Sequence, residues 1–214
     1  MNVSSVEINN NVFISGKVNI SNGSTSTSQG VNIFVDDVLQ NSGGLGDGSD
    51  GALTVTGANT VVNNYTYLSS NQSSGDLQIK VNSASEFSAG DEILIIQMQN
   101  GTGGSAAGNY EIVEISSISS NNFTLSTALN KSFSSGTFNT TLSSVTQIVR
   151  VPEYSSVTIN SGASIIADSW NGWNGWVVVF KSSGAVSVVG QINVTGQGFR
   201  GGMRVPSTTN YQFG

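Results

Sequence analysis

The stretch from Val149 to Gly202 most constrains the fold, because short β-branched runs recur in it at close spacing. Gly, Ser, Asn and Asp fill the gaps between these runs, a pattern typical of strands joined by tight turns. The gaps are too short for crossover helices, so the stretch predicts successive rungs or hairpins of one elongated β-structure. The runs are VTI, SII, WVVVF, AVSVV and INV.

A second kind of pattern occupies residues 75–144. The run Ile93–Ile96 is continuously apolar, as in a strand that is buried on both faces. Asn121 and Asn122 predict a two-residue hairpin turn, because Asn tolerates the positive φ that such turns need. About five strands joined by short turns predict a small β-barrel.

The chain as a whole is therefore predicted to be all-β, with three parts. Residues 1–44 alternate apolar and polar side chains and predict an N-terminal β unit or assembly arm. Residues 45–74 and 145–214 predict a short body of the β-helix or sandwich type. The small barrel of residues 75–144 is inserted into that body.

Composition supports an ordered chain with a neutral surface. Charged residues make up 9% of the sequence, against about 25% in an ordinary globular protein. Disordered chains combine high charge with few β-branched residues, whereas Val and Ile are abundant here. Hydroxyl and amide groups therefore solvate the surface, as in many extracellular and virion β-proteins.

Several function classes are disfavoured by the same composition. The net charge is −6 and the seven basic residues are scattered, whereas nucleic-acid binding needs clustered Lys and Arg. The chain has no Cys and no His, which removes thiolate chemistry and the commonest general base. No apolar run reaches the ~18 residues of a membrane span.

No pair of carboxylates suits glycoside chemistry, which needs two carboxyl groups about 5–9 Å apart. Asp91 and Glu92 are adjacent, and Glu111 and Glu114 differ by three positions, so each pair faces apart along an extended chain. Asp168 stands alone. We therefore expect no catalytic residues, and the sequence predicts that the protein is not an enzyme.

Three tryptophans form the strongest candidate for ligand binding. Trp170, Trp173 and Trp176 are spaced by three residues around two Asn-Gly pairs. Flat aromatic rings on a loop suit the C–H faces of a sugar, although such rings also cap the end of a β-stack. We expect Trp170 and Trp176 to pack and Trp173 to be exposed.

Two further sites are weaker candidates. Arg200, with glycines nearby, is a candidate contact for an anion or a sugar, or a donor to backbone carbonyls at the end of a rung. Asp47 and Asp50 resemble part of a calcium loop, but Ala58 stands where an EF-hand has its Glu. A turn held by local Asp hydrogen bonds is favoured there, with Ca²⁺ as the alternative and no other cofactor expected.

N-x-Ser/Thr sequons are frequent, and they become glycosylated only in a host that performs this modification. In a chain this rich in Asn, Ser and Thr most of them arise by composition. The candidate positions are Asn19, Asn22, Asn64, Asn71, Asn100, Asn122 and Asn139.

The ordered set GDGSDG, GDEILIIQMQ, VRVPEYSSVTI and GFRGG resembles a β-rich module of large bacterial surface proteins and phage tail or adhesin proteins. The resemblance covers about residues 43–202. It implies a structural or adhesive role and carries over no catalytic residues. The chain departs from the pattern where MRVPSTTNYQFG follows GFRGG and where Gly175-Trp176 replaces a Gly pair.

Together these observations predict a non-enzymatic structural subunit of an extracellular assembly, either a virion tail or fibre component or a cell-surface filament. The expected partners are further copies of the chain and a cell-surface glycan. A carbohydrate-binding module that uses the Trp loop is the alternative.

Overall fold

A computed structural model describes residues 45–101, 106–136 and 143–197. Within these residues the protein is all-β, as predicted, and contains no helix. None of the described segments is therefore a helix that could cross a membrane. The strands are β1 (Ala52–Val55), β2 (Thr60–Val61), β3 (Tyr65–Tyr67), β4 (Gln78–Lys80), β5 (Glu92–Gln99), β6 (Tyr110–Ser119), β7 (Asn122–Leu125), β8 (Val145–Arg150), β9 (Glu153–Tyr154), β10 (Ser156–Ile159), β11 (Ser164–Ile166), β12 (Lys181–Ser182), β13 (Val186–Val188) and β14 (Gln191–Ile192).

Short parallel strands build the first of two parts, which we call the coil. Strand β10 pairs in parallel with β1 and β13, β11 pairs with β2 and β14, and β9 pairs with β12. The coil thus has three stacked rungs: rung 1 holds β1 and β2, rung 2 holds β9–β11, and rung 3 holds β12–β14. Each rung contacts only its neighbours, as in other repeat architectures.

Register aligns apolar side chains into columns that run through the coil. Leu53, Val157 and Val186 are partners in successive rungs, as are Val55, Ile159 and Val188. Since directly paired residues in neighbouring strands face the same side of a sheet, each column points into the coil. The members in rung 2 are fully buried in a cluster that also contains Ile165.

The second part, which we call the half-barrel, is a curled antiparallel sheet with the strand order β3-β8-β5-β6-β7-β4. Its two edge strands approach each other at a bridge between Leu68 and Val81. The Ser69 N–H donates to the Lys80 carbonyl at 2.9 Å, and the Asn82 N–H donates to the Tyr67 carbonyl at 2.9 Å. The sheet therefore encloses its own core.

That core is rich in large side chains. Phe123 and Phe133 are almost completely buried in it, and the rings of Phe87 and Phe123 lie 5.3 Å apart. Chain reversal between β6 and β7 occurs at Ser120 and Asn121, and Ser120 has the positive φ of 53°. The expectation that Asn121 and Asn122 supply the positive φ is wrong, because the turn begins one residue earlier.

Strand β5 forms a wall that faces both parts, as its unbroken apolar run predicts. Ile93 and Ile95 point into the half-barrel core. Leu94 points the other way and packs with Val149 and Val151. A strand buried on both faces can present apolar side chains at every position.

The WVVVF run fills the seam between the two parts. Val178 and Phe180 pack on the coil core, whereas Val177 and Val179 pack on the Leu94 side of the half-barrel. The run was expected to be a strand, but it belongs to none of the described sheets. Instead, the Asn63 amide group bonds both the N–H and the carbonyl of Val179.

Strands β3 and β8 pair within the half-barrel, although the predicted division assigned all of their residues to the body. The half-barrel sheet consequently spans Tyr65 to Arg150 and interrupts the coil between rungs 1 and 2. The predicted N-terminal unit of residues 1–44 lies outside the described residues.

Candidate functional site

The Trp loop, Ala167–Trp176, connects rung 2 to the WVVVF seam and lies against the half-barrel. Its anchor is Gln147 on β8, whose side chain is fully buried. The Gln147 Oε1 accepts the Gly175 N–H at 3.0 Å, and its Nε2 donates to the Gly175 carbonyl at 3.2 Å. Both polar groups of one buried amide are therefore satisfied by one loop residue, which fixes the loop on the half-barrel.

Gly175 is required at that position by the backbone. Its φ is 118°, and a Cβ atom would lie 2.7 Å from the Ser169 carbonyl oxygen. Any residue with a Cβ atom at this position would have both the strain of a positive φ and a clash with the Ser169 carbonyl oxygen. This explains why a glycine precedes Trp176 in the sequence.

The Asn171 side chain fixes the conformation of the loop tip. The Asn171 Oδ1 accepts the N–H groups of Trp173 at 2.9 Å and Asn174 at 3.0 Å, and its Nδ2 donates to the Asn174 Oδ1 at 2.8 Å. The Trp176 N–H closes the loop on the Asp168 carbonyl at 2.9 Å. These local bonds fix the backbone at Trp173 and Trp176.

The three tryptophans form two stacked pairs. Trp170 and Trp176 stack on each other with ring centroids 5.4 Å apart and planes inclined by 29°. Trp173 stacks on Tyr67 of β3 at 4.6 Å and 16°. All three indoles are half-buried. Trp170 and Trp176 pack as expected, while Trp173 is less exposed than expected because Tyr67 covers one of its faces.

The groups next to the loop are polar and include one carboxylate. Asp168 is exposed, and its Oδ1 accepts the Ser169 N–H at 2.8 Å. The Tyr65 hydroxyl donates to the Val177 carbonyl at 2.6 Å, and burial raises the pKa of this phenol. The site therefore combines half-exposed indole faces with a carboxylate and with loop amides, which are the groups that contact sugars.

A separate cluster of charges joins the coil to the half-barrel. The Arg150 guanidinium lies 2.6 Å from Asp50 of the GDGSDG loop and 2.8 Å from Asp91. Lys181 of rung 3 lies 2.6 Å from Glu92 of β5 and 3.7 Å from Glu153 of rung 2. We call these ion pairs the clasp.

The pKa values of Arg150 and Glu153 in the clasp, and of Asp47 beside it, are shifted. Burial disfavours the charge on Arg150, but its hydrogen bonds to Asp50 and Asp91 outweigh burial and raise its pKa. Burial raises the pKa of Glu153, and a hydrogen bond shared with Asp47 raises it further. Hydrogen bonds from Ser49 lower the pKa of Asp47.

The candidate calcium ligands are occupied by protein donors. The Asp47 Oδ1 accepts the Ser49 N–H at 2.8 Å, the local turn that the sequence favours. Asp50 binds Arg150 and also accepts the Glu153 N–H at 2.7 Å. No cluster of three or more acidic side chains able to hold a metal occurs in the described part of the chain. The calcium site stays a prediction.

Three of the carboxylates weighed for catalysis lie at the clasp or next to it, because Glu114 of β6 is the register partner of Glu92. Asp91 binds Arg150, whereas its neighbour Glu92 binds Lys181 on the coil. Glu111 accepts the Asn130 N–H at 2.9 Å in the half-barrel. Asp168 lies by the Trp loop, so the structure does not bring it into the clasp.

The remaining predicted positions are spread over the chain. Arg200, Asn19, Asn22 and Asn139 lie outside the described residues. Asn71 and Asn122 are exposed on the half-barrel, while Asn64 and Asn100 are half-buried. Glycosylation at these positions stays a prediction.

Sequence reasoning missed Tyr67 and Gln147, two residues that complete the Trp loop. Both lie on half-barrel strands remote in sequence from the loop, Tyr67 more than a hundred residues away. One signal was present: Gln147 is a polar residue directly before the apolar pair Ile148 and Val149 of strand β8. A buried amide of this kind needs partners, and the loop backbone provides them.

Comparisons with known proteins give similarity at the level of structure only. No model of a known protein family matches the chain, and no curated protein matches it. Among solved structures, the tailspike gp49 of Pseudomonas phage LKA1 is 17% identical, with a TM-score of 0.32, over 54% of this chain and 24% of that one. The Gp54 tailspike of Acinetobacter baumannii bacteriophage AP22, solved in complex with a capsular saccharide, is 16% identical, with a TM-score of 0.34, over 63% and 23%.

The tailspike gp61 of Pseudomonas phage phi297 is also similar, at 12% identity and a TM-score of 0.32, over 66% of this chain and 23% of that one. The chain thus spans about a quarter of each tailspike chain. The prediction that the protein is not an enzyme is contradicted by this set, because all three similar structures are phage tailspikes and one of them was solved with a capsular saccharide. An enzymatic activity is therefore no longer excluded, and none is assigned to this chain.

Proposed function

We propose that the chain is a structural module of an extracellular assembly of the phage-tail or surface-fibre type. One observation carries the proposal: rung 3 exposes the apolar columns that rung 2 buries. Val186 and Val188 are 43% and 48% exposed, whereas their partners Val157 and Ile159 are fully buried. Exposed apolar columns on a stacking architecture favour continuation of the stack by other chains.

The coil and half-barrel suit a load-bearing role outside the cell. Ion pairs and the WVVVF seam fasten the two parts together, and the surface carries few charges. The motif set that resembles bacterial surface and phage tail modules supports the same role. The geometry of the coil, rather than the limited similarity to tailspikes, carries the proposal.

Sedimentation velocity and negative-stain microscopy of the full chain test this function. We expect association that increases with concentration, together with elongated particles. A chain that remains a monodisperse monomer over the whole accessible concentration range would contradict a role in self-assembly.

A second candidate function is binding of a cell-surface glycan at the Trp loop. It is favoured by the two stacked aromatic pairs, which Gln147 and Asn171 hold in a fixed arrangement. Because the loop is set in advance, little conformational entropy would be lost when a sugar binds. A stacked aromatic contact is worth about 0.5–1.5 kcal/mol beyond the apolar area that it buries.

A glycan array that includes bacterial capsular polysaccharides tests this candidate, followed by calorimetry with any glycan that binds. We expect Trp173→Ala to weaken binding at least tenfold. Tyr110→Ala is the control, because Tyr110 is an exposed aromatic residue on β6 of the half-barrel. Equal binding by both variants, or an array without signal for the native chain, would exclude the Trp loop as a glycan site.

A further inference from the structure

The Trp loop contains the same four-residue sequence twice. Residues 170–173 and residues 173–176 both read Trp-Asn-Gly-Trp, with Asn171 and Asn174 at corresponding positions. In an Asn-Gly pair the backbone nitrogen of the glycine can attack the asparagine side chain readily, because glycine has no side chain that obstructs the approach. Since the two local sequences are identical, a difference in reactivity between the two asparagines must come from the fold.

The backbone nitrogen that would attack is in a different state in each pair. The Gly175 N–H donates to Gln147 Oε1 at 3.0 Å, and Gly175 is buried. The Gly172 N–H, in contrast, has no acceptor among the described residues, and Asn171 beside it is exposed. The nitrogen must lose its proton to react, and a proton held in a buried hydrogen bond is removed less readily. Gly172 therefore offers the available nucleophile, whereas Gly175 is protected.

The side chain that would be attacked also differs between the pairs. The Asn171 Oδ1 accepts two backbone N–H groups, that of Trp173 at 2.9 Å and that of Asn174 at 3.0 Å. Negative charge develops on this oxygen when a nucleophile adds to the amide carbon, and two such donors stabilise it as an oxyanion hole does. The Asn174 Oδ1 accepts the Asn171 Nδ2 at 2.8 Å instead, and no backbone N–H of the described residues. Of the two asparagines, Asn171 therefore combines an activated carbonyl with an unbonded neighbouring nitrogen.

We propose that Asn171 is a site of spontaneous deamidation, a modification of the chain by itself that consumes water and needs no enzyme. The Gly172 nitrogen gives its proton to hydroxide, and its lone pair forms a bond to the Asn171 Cγ. The Cγ–Nδ2 bond then breaks, and Nδ2 takes up a proton from water and leaves as ammonia, so that a five-membered succinimide remains. Water opens this ring at Cγ to give an aspartate, or at the backbone carbonyl carbon to give an isoaspartate, in which the main chain runs through Cγ.

The third Asn-Gly pair of the described residues resembles the protected pair. The Gly101 N–H donates to the Ser144 Oγ at 3.1 Å, so Asn100 is followed by a nitrogen that is already bonded. We therefore expect Asn171 to convert first among the three. Its rate should be at least about tenfold higher than that of Asn174 or Asn100, equivalent to about 1.4 kcal/mol in the barrier.

Deamidation changes the bonds that hold the tip of the loop. The Asn171 Nδ2 donates to the Asn174 Oδ1 at 2.8 Å, whereas an ionised acid at position 171 has no N–H for this bond and adds a negative charge. An isoaspartate also lengthens the main chain by one carbon atom directly before Gly172 and Trp173. Because Trp173 stacks on Tyr67 at 4.6 Å, we expect the isoaspartate product to weaken this stack.

Timed incubation of the native full-length chain tests the site. Tandem mass spectrometry of proteolytic peptides locates each conversion by the small mass increase that accompanies replacement of an amide by an acid. In the folded chain we expect conversion at Asn171 well before Asn174 and Asn100. In concentrated urea no fold distinguishes the two Trp-Asn-Gly-Trp sequences, so Asn171 and Asn174 should convert at equal rates. Incubation in urea continues until both have converted, which provides the positive control.

Three results would overturn the proposal. One is conversion of Asn174 or Asn100 in the folded chain as fast as that of Asn171. Another is an unchanged Asn171 in the folded chain after the time in which it converts in urea. The third is a preference for Asn171 that persists in urea, because the fold would then not be its cause.

A variant tests the effect on the stacked rings. Asn171→Ser retains a short side-chain acceptor for the N–H groups of the loop tip but has no amide from which a succinimide can form. We expect the near-UV circular dichroism of the native chain to change as Asn171 converts, and that of Asn171→Ser to stay constant over the same period. A native spectrum that is unchanged after complete conversion would overturn the effect on the Trp173 stack. The reaction needs neither assembly nor a bound glycan, so these outcomes are independent of both proposed functions.

Discussion

The half-barrel and the coil bury their apolar side chains in different ways. Hairpins and antiparallel pairs close the half-barrel on itself, so its core is complete within one chain segment. The coil buries its rung 2 side chains between two neighbouring rungs, so the column that is buried in rung 2 is exposed in rung 3. A closed core fixes its own boundary, whereas a stack leaves its last member open to further partners.

This difference predicts where truncation of one large side chain is most costly. Phe123→Ala should lower the free energy of unfolding by about 3–5 kcal/mol, because the ring is fully buried in a closed core that cannot collapse around the cavity. Chemical denaturation measures the loss. Leu77→Ala is the control, since Leu77 is exposed on the same half-barrel, and a similar loss in both variants would mean that the core is not closed around Phe123.

In the coil, stability depends on the close approach of rungs 2 and 3, as it depends on the closed core in the half-barrel. Gly190→Ala should cost about 1–3 kcal/mol, because both nearest neighbours of the added methyl group are backbone carbonyl oxygens that cannot rotate away. Gly57→Ala in rung 1 is the matched control, since nothing lies within 4 Å of its Cβ position. If Gly190→Ala melts at the same temperature as Gly57→Ala, rungs 2 and 3 are not in close contact.

Sequence alone predicted the elements of both parts but not how they are joined. The VTI and SII runs became β10 and β11, and the run Ile93–Ile96 lies within a strand buried on both faces, because local periodicity reports burial directly. The WVVVF run is as rich in β-branched residues as any strand, yet it forms the seam. Its side chains pack alternately on the coil core and on the Leu94 side of the half-barrel. Because both surfaces consist of residues distant in sequence, no local pattern predicts this packing.

The Trp loop shows the same limit. Its tryptophans and Asn-Gly pairs are visible in the sequence, whereas the partners that fix them, Tyr67 and Gln147, come from strands of the half-barrel. The expectation of an exposed Trp173 therefore failed for a physical reason. A ring that faces solvent on an isolated loop becomes half-covered when another domain supplies a parallel ring.

A pair of identical substitutions in one column tests most directly whether the rung 3 end of the coil is uncovered. Val157→Ala should cost about 2 kcal/mol, because two buried methylene equivalents and a cavity are involved. Val186→Ala, at the partner position in rung 3, should cost less than about 0.5 kcal/mol in the monomer. If denaturation gives equal losses, the column in rung 3 is covered.

The smallest effect concerns the clasp, which joins the two parts by charge rather than by packing. Burial and the hydrogen bond with Asp47 raise the pKa of Glu153 above its ordinary value of 4.5, so the folded state holds this proton more tightly than the unfolded state does. Its contribution to stability is therefore complete below pH 4.5 and is lost as the pH rises through the raised value.

Glu153→Gln removes this titration and should gain stability relative to the native chain as the pH rises from 4.5 towards neutrality. The gain should stay below about 1 kcal/mol, because solvent screens partly exposed charges. Hydrogen bonds from Ser49 lower the pKa of Asp47, so its contribution to stability has the opposite pH dependence. That contribution is lost only as the pH falls to and below the ordinary value of 3.8. Melting curves of the native chain and of Glu153→Gln, measured from below pH 3.8 to neutrality, separate the contribution of Glu153 from that of Asp47. A difference that does not depend on pH would mean that Glu153 acts through packing rather than through its charge.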